Sequence, residues 1–159
     1  MNRVSFQGER GAYSESAAIV FFGNKVETIP CTTFANALKN TENDTSDYTI
    51  LPVENSLEGS VGESIDLLLS TNLNVVGEIY HRIHHCLIGT GPLAEIEVVY
   101  SHPQALGQCR QFIQENSLEI MPTTDTAGSV KMIRDLHHDL SACIASKEAA
   151  KIYDVPVIQ

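Results

Sequence analysis

Basic residues are scarce in this chain: Lys and Arg number 10 against 20 Asp and Glu in 159 residues, for a formal net charge of −10. That balance argues against nucleic acid or an anionic membrane surface as a partner, since the field of the whole molecule would repel either. An anionic small molecule would have to be held by local donors against the same field. No stretch approaches the roughly 18 apolar residues that a membrane span requires, and residues 1–11 carry no apolar segment of the kind an export signal needs. A cytoplasmic protein is expected. Cys31, Cys86, Cys109 and Cys143 include no C-x-x-C pair and lie in apolar sequence, which favours free buried thiols over disulfides or zinc. Repeats of fixed period and low-complexity tracts are also lacking.

What remains is ordinary globular composition, with 43% hydrophobic and 19% charged residues. The length allows either one compact domain or two small lobes. Strand and helix signals alternate. Val4 to Phe6, Val26 to Ile29 and Tyr48 to Val53 read as strands, with helices from a Ser14 cap through Phe22, from a Thr33 cap to about Lys39, and from Val61 to Leu69. Val75 to Ile88 reads as one long strand. Beyond it the alternation repeats as strand 97–100, helix 103–115, strand 118–121, helix 126–137, strand 142–145 and helix 147–153. This is an α/β pattern with mainly parallel strands. His81, His84, His85 and Cys86 look like metal ligands at first sight, but period two sends His84 and His85 to opposite faces of the expected strand. Zinc needs three or four converging ligands, so no metal is expected.

The most informative stretch is Ser101-His102-Pro103-Gln104-Ala105-Leu106-Gly107-Gln108-Cys109. A short apolar strand leads into it, and Pro103 stands where a first helical residue belongs. A helix starting there points unpaired N–H groups and the positive end of its dipole at whatever lies in front of Ser101. Gln104 and Gln108 are one turn apart, beside the inward stripe of Leu106, Cys109, Phe112 and Ile113. An ordinary N-cap with two surface amides is the plain alternative.

Polar residues gather at three further turns: Gln7 to Ser14, Glu54-Asn55-Ser56 with Gly59, and Thr123 to Thr126. Each has a plain explanation as a turn or a cap. Their common position after strands is what favours a ligand site, because open α/β sheets bind ligands outside the carboxyl ends of their strands.

Taken together, Phe6-Gln7-Gly8 through Gly11-Ala12-Tyr13-Ser14-Glu15, the stretch Leu51 to Ser60, His84-His85-Cys86-Leu87, the Ser101 motif, Asp125-Thr126-Ala127-Gly128 and Ala142 to Ser146 resemble the catalytic domain of the prephenate and arogenate dehydratases. The resemblance covers essentially the whole chain in the family's order. It implies two α/β lobes of the type II periplasmic-binding-protein kind with a substrate cleft between them, residues 1–77 forming the first and 78–159 the second with the start of a return. It also implies a homodimer or higher assembly, no cofactor, and conversion of prephenate to phenylpyruvate with loss of carbon dioxide and water. Ala12, Tyr13 and Ser14 would then meet a carboxylate at their helix start, Asn55 and Ser56 would line the floor, and Ser101, Gln104, Gln108 and Thr126 would bind substrate from the second lobe.

One departure bears on the chemistry. In the family a Thr-Arg-Phe motif supplies the general acid and a substrate-holding arginine, and no Thr-Arg-Phe occurs in residues 1–159. The resemblance thus leaves the catalytic acid unassigned here, and residues 1–159 alone are expected to turn over prephenate poorly. The signatures of the phenylalanine-sensing regulatory domain are absent as well. Beside the dehydratase reading stand a cleft that binds an aromatic acid without converting it, and a general solute-binding module.

Overall fold

In the computed structural model residues 1–57 and 59–159 are described; Glu58, within the Leu51 to Ser60 motif, lies outside the described residues. The chain divides into two compact units, one of residues 1–9 and 13–82 and the other of 10–12 and 83–159.

The first unit is built on β1 (Asn2–Gln7), which pairs in parallel with β2 (Val26–Cys31) on one side and β3 (Tyr48–Thr49) on the other. Val4, Ser5 and Phe6 are all fully buried, so β1 is covered on both faces as a central parallel strand should be. Helices α1 (Tyr13–Phe22) and α2 (Phe34–Glu42) supply that cover, and both contact β1. Thr33 caps α2 as its sequence suggests, accepting from the Asn36 N–H at 3.1 Å. The buried Ser5 hydroxyl donates to Ser46 at 2.9 Å, which removes the cost of a bare polar group in the core. A small antiparallel hairpin, β4 (Glu54–Asn55) with β5 (Gly59–Ser60), precedes α3 (Gly62–Ser70).

The second unit holds a four-stranded sheet in the order β6-β9-β7-β8, made of β6 (Cys86–Gly89), β7 (Val98–Ser101), β8 (Glu119–Pro122) and β9 (Ser141–Ala145). Strand β7 runs parallel to β8 and β9, and β6 runs antiparallel to β9. Period two sends neighbouring residues to opposite faces. Leu87, Val99, Ala142 and Ile144 join one core with Leu106, Ile113 and Leu118, while Ile88, Cys143 and Ala145 join another with Val130, Ile133 and Ala149. The helices over these faces are α4 (Pro103–Gln108), α5 (Arg110–Glu115), α6 (Thr126–Leu136) and α7 (Lys147–Tyr153). Residues 156–159 run beside β6, with the Leu87 N–H on the Gln159 carbonyl at 2.7 Å and the Gly89 N–H on that of Pro156 at 3.0 Å.

Four expectations are corrected. The long strand Val75 to Ile88 shrinks to Cys86–Gly89, because residues 74–85 join no ladder among the described residues. Successive Val75 and Val76 are both exposed, at 74% and 70%, so the alternation read there buries no face. The Tyr48 strand stops at Thr49. Helix α1 starts at Tyr13, which places Ser14 inside its first turn rather than at the cap. Helix 103–115 is broken at Cys109, where φ is −98° and ψ is 13°, two residues after the weak helix former Gly107.

Candidate functional site

In the second unit one edge of the sheet collects most of the polar residues singled out above. The strands β7, β8 and β9 end there together, Ser101 lying opposite Pro122 and Tyr100 opposite Cys143. Antiparallel β6 begins there, since Cys86 lies opposite Ala145. Four turns therefore meet: His85 entering β6, Ser101 leaving β7, Thr123 to Thr126 leaving β8 and Ser146 leaving β9. The Thr123 N–H binds the Ser101 carbonyl at 2.8 Å and locks two of these turns together.

The fate of each side chain differs. Ser101 is fully buried and its hydroxyl donates to the Ile144 carbonyl at 2.7 Å, so its single proton is directed into the sheet. The cap of α4 is instead His102, whose Nδ1 accepts the Gln104 N–H at 3.2 Å, with Pro103 at the first helical position. Because Nδ1 accepts, the neutral ring carries its proton on Nε2. Gln104 is half-buried on that first turn. Gln108, one turn on, places Oε1 2.8 Å from Nε2 of His85. Thr126 is the first residue of α6 and half-buried, while Asp125 performs the capping through Oδ1 to the Gly128 N–H. Ser146 caps α7 through the Ala149 N–H at 3.0 Å, and its hydroxyl donates to the Gly11 carbonyl at 2.6 Å. Gly11 has φ +90°, and a Cβ there would lie 2.5 Å from Ala149 Cα, so only glycine fits. Ala12, the next residue, packs against the Ile88 core of the same unit.

In the first unit Tyr13 and Ser14 open α1, where Glu15 follows, 3% exposed and accepting the Thr28 hydroxyl at 2.6 Å. Asn55 and Ser56 do not precede a helix directly; Asn55 ends β4 and Ser56 follows it. Asn55 Oδ1 accepts the Leu57 N–H at 2.9 Å, which turns the amide so that its NH₂ end is the part left to donate, and Ser56 is exposed. Gly59, which opens β5, has φ +79°, a conformation that favours glycine.

Among the described residues no group of three or more His, Cys, Asp or Glu is placed to hold a metal ion. All four cysteines are free, and burial pushes the thiols of Cys86, Cys109 and Cys143 upward, which makes them weak nucleophiles at neutral pH. What the edge of the second sheet offers is hydroxyls, amides and helix starts. Such neutral donors hold an anion without changing their own protonation state.

Sequence reasoning missed His102 as the cap, the pairing of His85 with Gln108, and the Ser146 link to Gly11. A residue type was visible only for the first, since His directly before Pro103 can cap through its ring. The other two join residues 23 and 135 positions apart, and local pattern carries no trace of them.

A family model described as prephenate dehydratase matches residues 4–159. Arogenate dehydratase/prephenate dehydratase 2, chloroplastic, from Arabidopsis thaliana is 41% identical over 158 residues, which cover 98% of this chain and 41% of that protein. A solved structure described as "GqqA- a novel type of quorum quenching acylases" superposes with a TM-score of 0.90 at 33% identity, over 99% of this chain and 58% of that one. The prephenate dehydratase of Arthrobacter aurescens in complex with L-Phe superposes with a TM-score of 0.87 at 25% identity, over 99% of this chain and 54% of that one. This chain spans about two fifths of the length of the curated relatives it matches. With the family's model matched from residue 4 to residue 159, this chain belongs to the prephenate dehydratase family.

Proposed function

We propose that this chain is the part of a prephenate or arogenate dehydratase that holds the substrate for decarboxylative loss of its ring hydroxyl. The observation that carries the reading is the convergence of Ser101, Gln104, Gln108 and Thr126 on the edge where β7, β8 and β9 end, in a chain that matches the family over residues 4–159. In the reaction the bond between ring carbon and carboxylate breaks, carbon dioxide departs, and the electron pair enters the ring. The hydroxyl on the opposite ring carbon leaves with its bonding pair and takes up one proton to become water. Aromatisation supplies the driving force, so no electron sink is called for.

The protein's work in this scheme is to fix carboxylates and to assist the hydroxyl. In the second unit Gln104 and Gln108 donate from α4 and Thr126 donates from the start of α6. Preorganised neutral donors suit a dianion in a molecule of net charge −10, because each acts at contact distance, where local geometry outweighs the screened overall field. Ser101 serves by fixing β7 to β9. The general acid is left unassigned among residues 1–159.

The likeness to a structure described as an acylase raises a hydrolytic alternative, which needs an activated nucleophile. One hydroxyl–imidazole contact, Ser141 Oγ to His138 Nδ1 at 3.0 Å, belongs to a buried serine that is 4% exposed, whereas a nucleophile must be reachable by its substrate. The dehydratase reading is therefore favoured. Calorimetric titration of prephenate and of arogenate onto residues 1–159 tests it, with phenylpyruvate followed by its absorbance in alkali. Saturable binding of either acid is expected; no binding at millimolar concentration would refute the reading.

A further inference from the structure

The His84-His85-Cys86-Leu87 motif has no part in the scheme above, and the structure gives it one. His85 stands at the entry to β6, on the sheet edge where β7, β8 and β9 end, and its Nε2 lies 2.8 Å from Oε1 of Gln108. An amide oxygen can only accept, so Nε2 must carry the proton, and the neutral ring is held as the Nε2–H tautomer. Once Oε1 is engaged, the amide can no longer exchange its two ends. Its NH₂ group is turned away from the ring.

We propose that His85 is a positioning residue for substrate recognition, fixing the Gln108 amide so that its NH₂ donors, and not its carbonyl oxygen, meet a carboxylate of the bound acid. Without that restraint a glutamine amide can present either end, and the oxygen end repels an anion. The inference rests on the proposed function in one respect, namely that Gln108 touches substrate. It differs from that reading by assigning a task to a residue that need not touch substrate at all. The arrangement also accounts for the use of glutamine in a chain with few cations: a neutral amide discriminates an anion only if its orientation is set from behind.

Two measurements on the 159-residue chain decide the matter. Long-range ¹H–¹⁵N spectra of the imidazoles report the tautomer directly. A proton on Nε2 of His85 is expected at neutral pH, and its loss from that position in Gln108→Ala. A proton on Nδ1, which corresponds to Gln108 donating to a bare Nε2, would overturn the inference whatever the ligand. The second measurement is the dissociation constant for prephenate by calorimetry. Gln108→Ala should weaken binding about ten- to a hundredfold, as expected for a hydrogen bond to a charged group. His85→Phe should weaken it about two- to tenfold, and His85→Gln, which keeps an N–H in reach of Oε1, should restore most of that loss. The double variant His85→Phe with Gln108→Ala should bind no worse than Gln108→Ala alone.

Multiplying losses in the double variant would show that His85 acts independently of Gln108 and would overturn the inference, leaving the proposed function intact. Unchanged binding in Gln108→Ala would instead remove Gln108 from the substrate site and take the inference with it. Should His85→Phe fail to fold, the tautomer spectrum and His85→Gln still decide.

Discussion

Replacing Ser146 by Ala probes the most economical tie in the second unit. The Ser146 side chain is 2% exposed and does two things: it accepts the Ala149 N–H at 3.0 Å as the cap of α7, and it donates to the Gly11 carbonyl at 2.6 Å, 135 residues away in sequence. Losing the cap costs about 1 kcal/mol. Losing the buried bond from the Ser146 hydroxyl to the Gly11 carbonyl costs a further ~1–3 kcal/mol. Gly11 has little freedom to relax, because its φ of +90° and the close approach of Ala149 hold it in place. The expected loss is therefore about 2–4 kcal/mol, read from urea unfolding followed by a probe in the second unit, with the slope unchanged. A loss below about 0.5 kcal/mol would refute the reasoning, since it would mean that neither bond is formed in solution.

Other outcomes follow from the same kind of reading. The Arg3 guanidinium, followed by the Arg3 backbone N–H, holds the Asp47 carboxyl down to about 2. A carboxyl depressed on folding adds stability above its unfolded value of about 4 and loses it as pH falls toward the folded value. Between about pH 4 and pH 2, wild type should thus lose more stability than Asp47→Asn, measured as the shift in urea midpoint; parallel losses would contradict this. Replacing Thr28 by Val removes a donor at 2.6 Å from the buried Glu15 carboxyl and should cost about 1–3 kcal/mol in thermal or urea unfolding. A neutral effect would show that Glu15 does not depend on Thr28.

Much of the architecture was legible because the signals are local. Thr33 before an amphipathic run gives α2, Pro103 fixes the first residue of α4, and Asp125 starts α6, each from residue types whose caps and backbone angles are nearly obligatory. The misses arose where local pattern is ambiguous. Val75 to Ile88 has strand composition throughout, yet a strand needs a partner for its ladder, and only Cys86–Gly89 pairs. The break at Cys109 follows from a single weak helix former, which periodicity overlooks.

The candidate site divides along the same line. That Ser101, Gln104 and Thr126 lie at a strand end or helix starts, with Gln108 one turn beyond Gln104, could be read from order along the chain. What each side chain bonds to could not. Ser101 spends its proton on Ile144, Asn55 turns its oxygen to Leu57, and Gln108 turns its own to His85, all through partners set by tertiary packing. Charge patterning said nothing about these, since every group concerned is neutral or nearly so.

The central claim is that donors drawn from separate parts of the sequence serve one anionic substrate. Backbone ¹H–¹⁵N spectra of the chain titrated with prephenate test it most directly. The account predicts that the amides of Gln104 to Gln108 and of Thr126, all in the second unit, shift together along curves that fit one dissociation constant. Shifts confined to one of these groups, or different constants for different groups, would contradict it.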